Sequence, residues 1–259
     1  MRRMMKSTLL IFSVFLLSVS LFAQENFSDM KAFLEDLQKN QQEMRLELQE
    51  IKSLLSRLTL PKTPNAPQPN NVKDIKFEIG DNHVLGSGGA RLILVEFSDY
   101  ECTFCSRYVR ETFPEILKEY IDKDILKYTV IDQPLAMHKK AEKAAQAAHC
   151  ATDQGKFWEI HKLMMAQQDS LDDLSSYARS LEMNITEFED CLAIEKYKER
   201  VQNNMALALK LGITGVPGFV IGHIDSLNPE SVTGITSILG ALPFSSFQKE
   251  IEAAIAANN

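Results

Sequence analysis

The stretch "PKTPNAPQPNN", residues 61–71, carries four prolines. Each proline fixes φ and removes a backbone donor, so neither a helix nor a central strand can run through it. Such a segment is an extended, semi-rigid spacer that separates two folded units. An expected linker over 61–73 follows, and the rest of the chain divides around it.

On the N-terminal side, residues 26–59 contain no Pro or Gly. Met30, Leu37, Met44, Ile51 and Leu58 recur every seven residues. Phe33 or Leu34, Leu48, and Leu54 or Leu55 fill the companion row, which Asn40, Gln41 and Glu47 interrupt. A seven-residue apolar repeat under a charged surface predicts a coiled-coil helix over 24–60 and a homo-oligomer formed through residues 26–59. A single amphipathic helix lying on the protein's own body is the alternative. The spacer, which would hold the helix away from that body, favours self-association. Met and Leu at the seam do not choose between two and three strands.

Ahead of the helix, "MRRMMK" is followed by the uncharged apolar run "STLLIFSVFLLSVSLFA". That is the pattern of a secretory signal peptide or an uncleaved anchor over 1–23, with Ala23 as the last residue of a cleaved signal. The run is short for a spanning helix, which needs about 20 apolar residues. No cysteine follows it, which argues against a lipoprotein. Loss of Arg2, Arg3 and Lys6 would move the formal charge from −7 to −10. A periplasmic or extracytoplasmic location is expected, where disulfides persist. With 28 basic against 35 acidic residues and no basic patch, nucleic acid is not an expected partner.

On the C-terminal side, 74–259 reads as globular. "DIKFEI" alternates Ile75, Phe77 and Ile79 as a strand does. "RLILVEFS" is an apolar run suited to a buried strand, and "ILKYTVI" a further one. Between them a helix begins at Cys102, with Pro114 expected to kink it. Residues 138–211 carry helical patterns alone, too long for one crossover, and predict an inserted helical subdomain. Within it "TEFE" at 186–189 reads as a capping box with Thr186 as the cap. Gly212 reads as a helix C-cap. "GFVIGHI" and "GITSILGA" are strands, and "PFSSFQKEIEAAIAA" is the closing helix. Phe157, Trp158, Met164 and Met165 read as core and groove residues.

Cys102 and Cys105 stand two residues apart where a strand gives way to a helix. Structural zinc needs four ligands, typically in two close pairs, and Cys150 and Cys191 stand far apart. A purely structural crosslink over so small a loop would remove little chain entropy. A redox pair has a physical cause. At a helix N-terminus the unpaired N–H groups and the dipole favour a thiolate at Cys102. Cys105, one turn on, can attack a mixed disulfide and release the product.

"VEFSDYECTFCSRY" is similar to the active-site segment of thioredoxin-fold proteins, most of all the DsbA-like thiol:disulfide oxidoreductases. The resemblance runs from about 74 to 259 and includes "QGKFWEIH" at 154–161 and "GITGVPGF" at 212–219. It implies an α/β, thioredoxin-like fold with an inserted helical subdomain, here preceded by the coiled-coil helix. It implies that Pro217 is cis and that Val216 and Pro217 lie against the sulfurs, where the Val216 backbone could pair with an extended client segment. Thr103 and Phe104 would face the same client. Glu96, in the apolar strand and on the face of Leu94, matches an acid that moves a proton to or from the inner cysteine; burial should raise its pKa. Thr103–Phe104 departs from the Pro-His of the strongly oxidising members. A less depressed Cys102 pKa and a potential below the roughly −120 mV of DsbA are expected.

In an oxidising compartment a structural disulfide between Cys150 and Cys191 is expected, related proteins often carrying a pair at such places. Two unpaired thiols or a second redox relay are the alternatives. His138, after "QPLAM", is a lone histidine left outside the expected site. The resemblance implies a protein thiol:disulfide oxidoreductase with no cofactor. Its partners would be reduced or misoxidised exported proteins and a redox partner, membrane-bound or soluble, that resets the pair. Val216 favours an oxidase and the coiled coil an isomerase or reductase. A non-catalytic chaperone or scaffold is the remaining alternative.

Overall fold

The computed structural model describes residues 30–31, 34–47, 49, 72–86 and 89–257. By its contacts the chain divides into two units, Met1–Ala66 and Pro67–Asn259. In the first, the described residues are helical. Met30, Leu37 and Met44 are 57%, 47% and 59% exposed, so three apolar positions of the seven-residue row meet solvent in the single chain. Ile51, Leu58, the expected signal over 1–23 and the spacer through residue 71 lie outside the described residues.

The second unit is built on a six-stranded sheet. In chain order the strands are β1 (Lys76–Glu78), β2 (Val84–Leu85), β3 (Leu92–Ser98), β4 (Leu126–Asp132), β5 (Gly218–Ile224) and β6 (Ser231–Leu239). Their spatial order is β1-β6-β5-β3-β4-β2. β3 lies parallel to β4 and antiparallel to β5. This mixed sheet with helices on both faces is the thioredoxin-like architecture.

β3 is buried along its whole length because both faces of the sheet are covered. Ile93, Val95 and Phe97 join Val220, Ile131, Ala208 and Leu211 on one face. Leu94 points to the opposite face, among Cys105, Tyr108, Phe219 and Phe247. Ile75, read in sequence as an inward strand residue, is 37% exposed; the strand begins one residue later. Val72, inside the expected linker, is 1% exposed. It lies against Gly234, where a Cβ would sit 2.3 Å from the Val72 carbonyl oxygen.

Helix α1 (Thr103–Glu111) follows β3. It breaks at Thr112, and α2 (Phe113–Ile116) restarts with Pro114 in its first turn, where a missing N–H costs nothing. The insert then supplies α3 (Ala141–Cys150), α4 (Phe157–Ala166), α5 (Leu174–Ser180), α6 (Ile185–Ala193) and α7 (Lys198–Lys210), before α8 (Phe244–Ala257) closes the chain. α7 ends with Gly212 at φ +67. The Ile213 N–H returns to the Ala208 carbonyl at 2.8 Å, as in a Schellman end.

The cap of α6 is Asn184, not Thr186. The Asn184 side chain accepts from the Glu187 N–H and donates to Glu187 Oε1 at 2.8 Å. Gln154 also pairs with both backbone groups of Asn184, at 2.7 and 3.1 Å. Thr186 lies inside the helix. A disulfide joins Cys150 at the end of α3 to Cys191 in α6, with sulfurs 1.98 Å apart. It spans 41 residues, which in the chain-entropy model is worth about 4 kcal/mol.

Candidate active site

Cys102 occupies the N-cap of α1, in extended conformation (φ −76, ψ 114) and with no side-chain cap bond. The helix's first N–H groups are thus left to favour negative charge at its N-terminus. The Cys105 thiol and the amides of Phe104 and Cys105 stabilise the charged form of the Cys102 sulfur. The Cys105 thiol lowers the Cys102 pKa most, and the two amides add to it. Burial and the charge of Asp99 oppose them, and the thiol settles at about 6. Cys105, fully buried one turn on, is pushed far up by desolvation. Both are free thiols. One sulfur is therefore ready to be a thiolate at neutral pH and the other is held protonated.

The pairing of β3 with β5 sets Phe97 opposite Gly218. That brings the turn before β5 beside the end of β3. The Val216–Pro217 peptide is cis. The Cys102 thiol points at the Val216 carbonyl, 3.7 Å away. Gly218 follows because a Cβ there would lie 2.5 Å from Ile213 Cγ2. Thr103 and Phe104 are exposed on the first turn of α1, and Arg107 covers the Phe104 ring at 5.1 Å.

Glu96 lies beneath the cysteines in β3, with no exposure. Burial raises its pKa to about 7, against the opposing hydrogen bond from the Tyr128 hydroxyl. The Tyr128 hydroxyl donates to Oε2, while Oε1 is among the buried atoms with no partner. Its negative charge contributes to raising Cys105.

The structure thus gathers Cys102, Cys105, Glu96, Thr103, Phe104, Val216 and Pro217 at one end of the sheet. Cys150 and Cys191 are taken up by their own bond in the insert. Sequence reading missed four groups. The β3–β4 register pairs Tyr128 with Leu94, on the same face as Glu96, whose carboxylate its hydroxyl reaches; no local pattern reveals this. Gln168, after α4, donates to the carbonyls of Tyr100 (2.7 Å) and Cys102 (3.0 Å). Asp99 stands three residues before Cys102, and its position alone was a signal. His161, buried and fixed by Tyr100 at 2.9 Å, has its pKa lowered by desolvation to about 4.

Among the described residues no cluster of three or more acidic, His or Cys side chains could hold a metal ion. No described helix is long and apolar enough to cross a membrane.

A thioredoxin family model matches residues 78–241. A Rickettsia conorii protein named as a protein-disulfide oxidoreductase is 28% identical over 195 residues, covering 70% of this chain and 69% of that protein. The crystal structure of Wolbachia pipientis α-DsbA1 superposes with a TM-score of 0.60 at 25% identity, over 70% of this chain and 96% of that one. A Salinispora tropica protein named as a Na(+)/H(+) antiporter is 30% identical over 159 residues, 60% of this chain. The chain spans 24% of that antiporter's length.

Proposed function

The chain belongs to the thioredoxin family and resembles its DsbA-like members, and on that premise we propose an exported protein thiol:disulfide oxidoreductase that works as an oxidase on other proteins' cysteines. The observation that carries the proposal is the asymmetry of the pair: Cys102 caps the helix N-terminus with its sulfur 3.7 Å from the Val216 carbonyl, and Cys105 lies one turn on with no exposure.

In the oxidising direction a client thiolate attacks the Cys102 sulfur of the Cys102–Cys105 disulfide. That bond breaks, and Cys105 leaves with the electron pair. As the poorer leaving thiolate it needs a proton at once, and Glu96, poised near pH 7, supplies it. A second client thiolate then attacks the client sulfur of the mixed disulfide. Cys102 leaves easily because its thiolate is stabilised by the helix amides. The client has lost two electrons and gained a disulfide; the protein holds two thiols. A redox partner, membrane-bound or soluble, removes those electrons. The Val216 backbone and the exposed Thr103–Phe104 turn would position the client strand. The sulfurs carry the electrons, so no cofactor enters these steps. The periplasm is the proposed site of work.

A second reading, isomerase or reductase, is favoured by the exposed Met30, Leu37 and Met44, since clustering several sites suits reshuffling of wrong pairs. Two assays separate them. Oxidation of a reduced dithiol peptide by the oxidised protein, lost on Cys102→Ser, is the expected result. Refolding of scrambled ribonuclease without peptide oxidation would establish the isomerase instead. Inactivity of the native protein in both would leave a chaperone or scaffold.

A further inference from the structure

Asp99 and the half-buried His138 form a pair next to the nucleophile's segment that the steps above do not use. The Asp99 side chain has no exposure, and that of His138 has 23%. Asp99 Oδ1 accepts the Glu101 N–H at 2.7 Å. Oδ2 accepts the Leu135 N–H at 2.7 Å and lies 2.7 Å from His138 Nδ1. The Asp99 carbonyl accepts the Cys102 N–H at 3.1 Å. Two residues on, Glu101 Oε2 accepts the N–H groups of Lys140 (2.5 Å) and Ala141 (2.9 Å). The segment before Cys102 is thereby tied to residues 135–141, the entry to the insert.

A buried carboxylate beside a sulfur destabilises its thiolate unless donors absorb the charge. Three donors do so here, and His138 is the one that is a side chain. We propose that His138 is a positioning residue for disulfide exchange: by donating to Asp99 it quenches that carboxylate's field at Cys102 and so favours the thiolate and the reduced form. It fills the role that Phe104, which has no donor, cannot. The inference rests on the oxidoreductase reading. The titratable groups acting on the Cys102 sulfur are Cys105, Asp99 and Glu96; the group facing His138 is Asp99.

The test uses the full chain with His138→Ala, His138→Asn and Asp99→Asn. Two quantities are read: the pH midpoint of thiolate absorbance at 240 nm, and the equilibrium with glutathione. In His138→Ala the midpoint should rise, and the equilibrium should move several-fold toward the oxidised protein. In His138→Asn, whose amide can reach Asp99 from the same position, both should return most of the way. Asp99→Asn should lower the midpoint, and adding His138→Ala to it should change nothing further. Unchanged values in His138→Ala would overturn the proposal. So would a shift that Asn does not rescue, which would mark a merely structural role. Should Asp99→Asn fail to fold, the rescue by Asn decides alone. The thiolate midpoint needs no client, so a protein inactive on peptides and ribonuclease would refute the function while leaving this test intact.

Discussion

Glu96 shows most directly how position sets behaviour. Its folded pKa, about 7, lies above the 4.5 of an ordinary glutamate because burial disfavours the charge. Below pH 4.5 both folded and unfolded chains carry the proton, and the residue costs nothing. Between 4.5 and 7 the unfolded chain loses its proton first, so stability falls as pH rises. Above 7 both are ionised, and the loss is constant at roughly 3 kcal/mol. Glu96→Gln should therefore flatten the part of the stability profile between those values, as urea unfolding at a series of pH values would show. The same substitution should slow peptide oxidation, because departing Cys105 then lacks its proton. Glu96 was legible in sequence because a period-2 strand puts it on the face of Leu94. Its partner Tyr128 was not, because pairing across 32 residues depends on strand register.

Among the elements, strong periodicity was readable and end positions less so. β3, β4 and β5 stand where apolar runs place them, since a buried strand needs apolar residues on both faces. The cap of α6 was misplaced for a definite reason. Asn184 and Thr186 each precede a glutamate by three residues, so two capping patterns overlap. Gln154, 30 residues earlier, decides between them by binding the Asn184 backbone. Asn184→Ala should cost about 1 kcal/mol, and Thr186→Ala distinctly less, in denaturant midpoints. β2 escaped notice because two residues carry no period; antiparallel pairing with Tyr128 and Thr129 defines it.

At the scale of the molecule, the same chain carries a helix with an exposed apolar row and a unit with one reactive sulfur. The proposed self-association belongs to the first and thiol exchange to the second. Leu37→Glu combined with Met44→Glu should move the full chain toward monomer in sedimentation equilibrium. Peptide oxidation per active site should be unchanged. Any isomerase activity should fall, since it alone would depend on clustering.

Everything rests on the difference between two sulfurs one helical turn apart. Alkylation of the reduced, folded protein with iodoacetamide from pH 4 to 9, read sulfur by sulfur by mass spectrometry, measures that difference. Cys102 should react with a midpoint near 6, while Cys105 stays unmodified until the protein unfolds. Equal reactivity of the two, or a Cys102 midpoint at the roughly 8.5 of a free cysteine, would contradict the account.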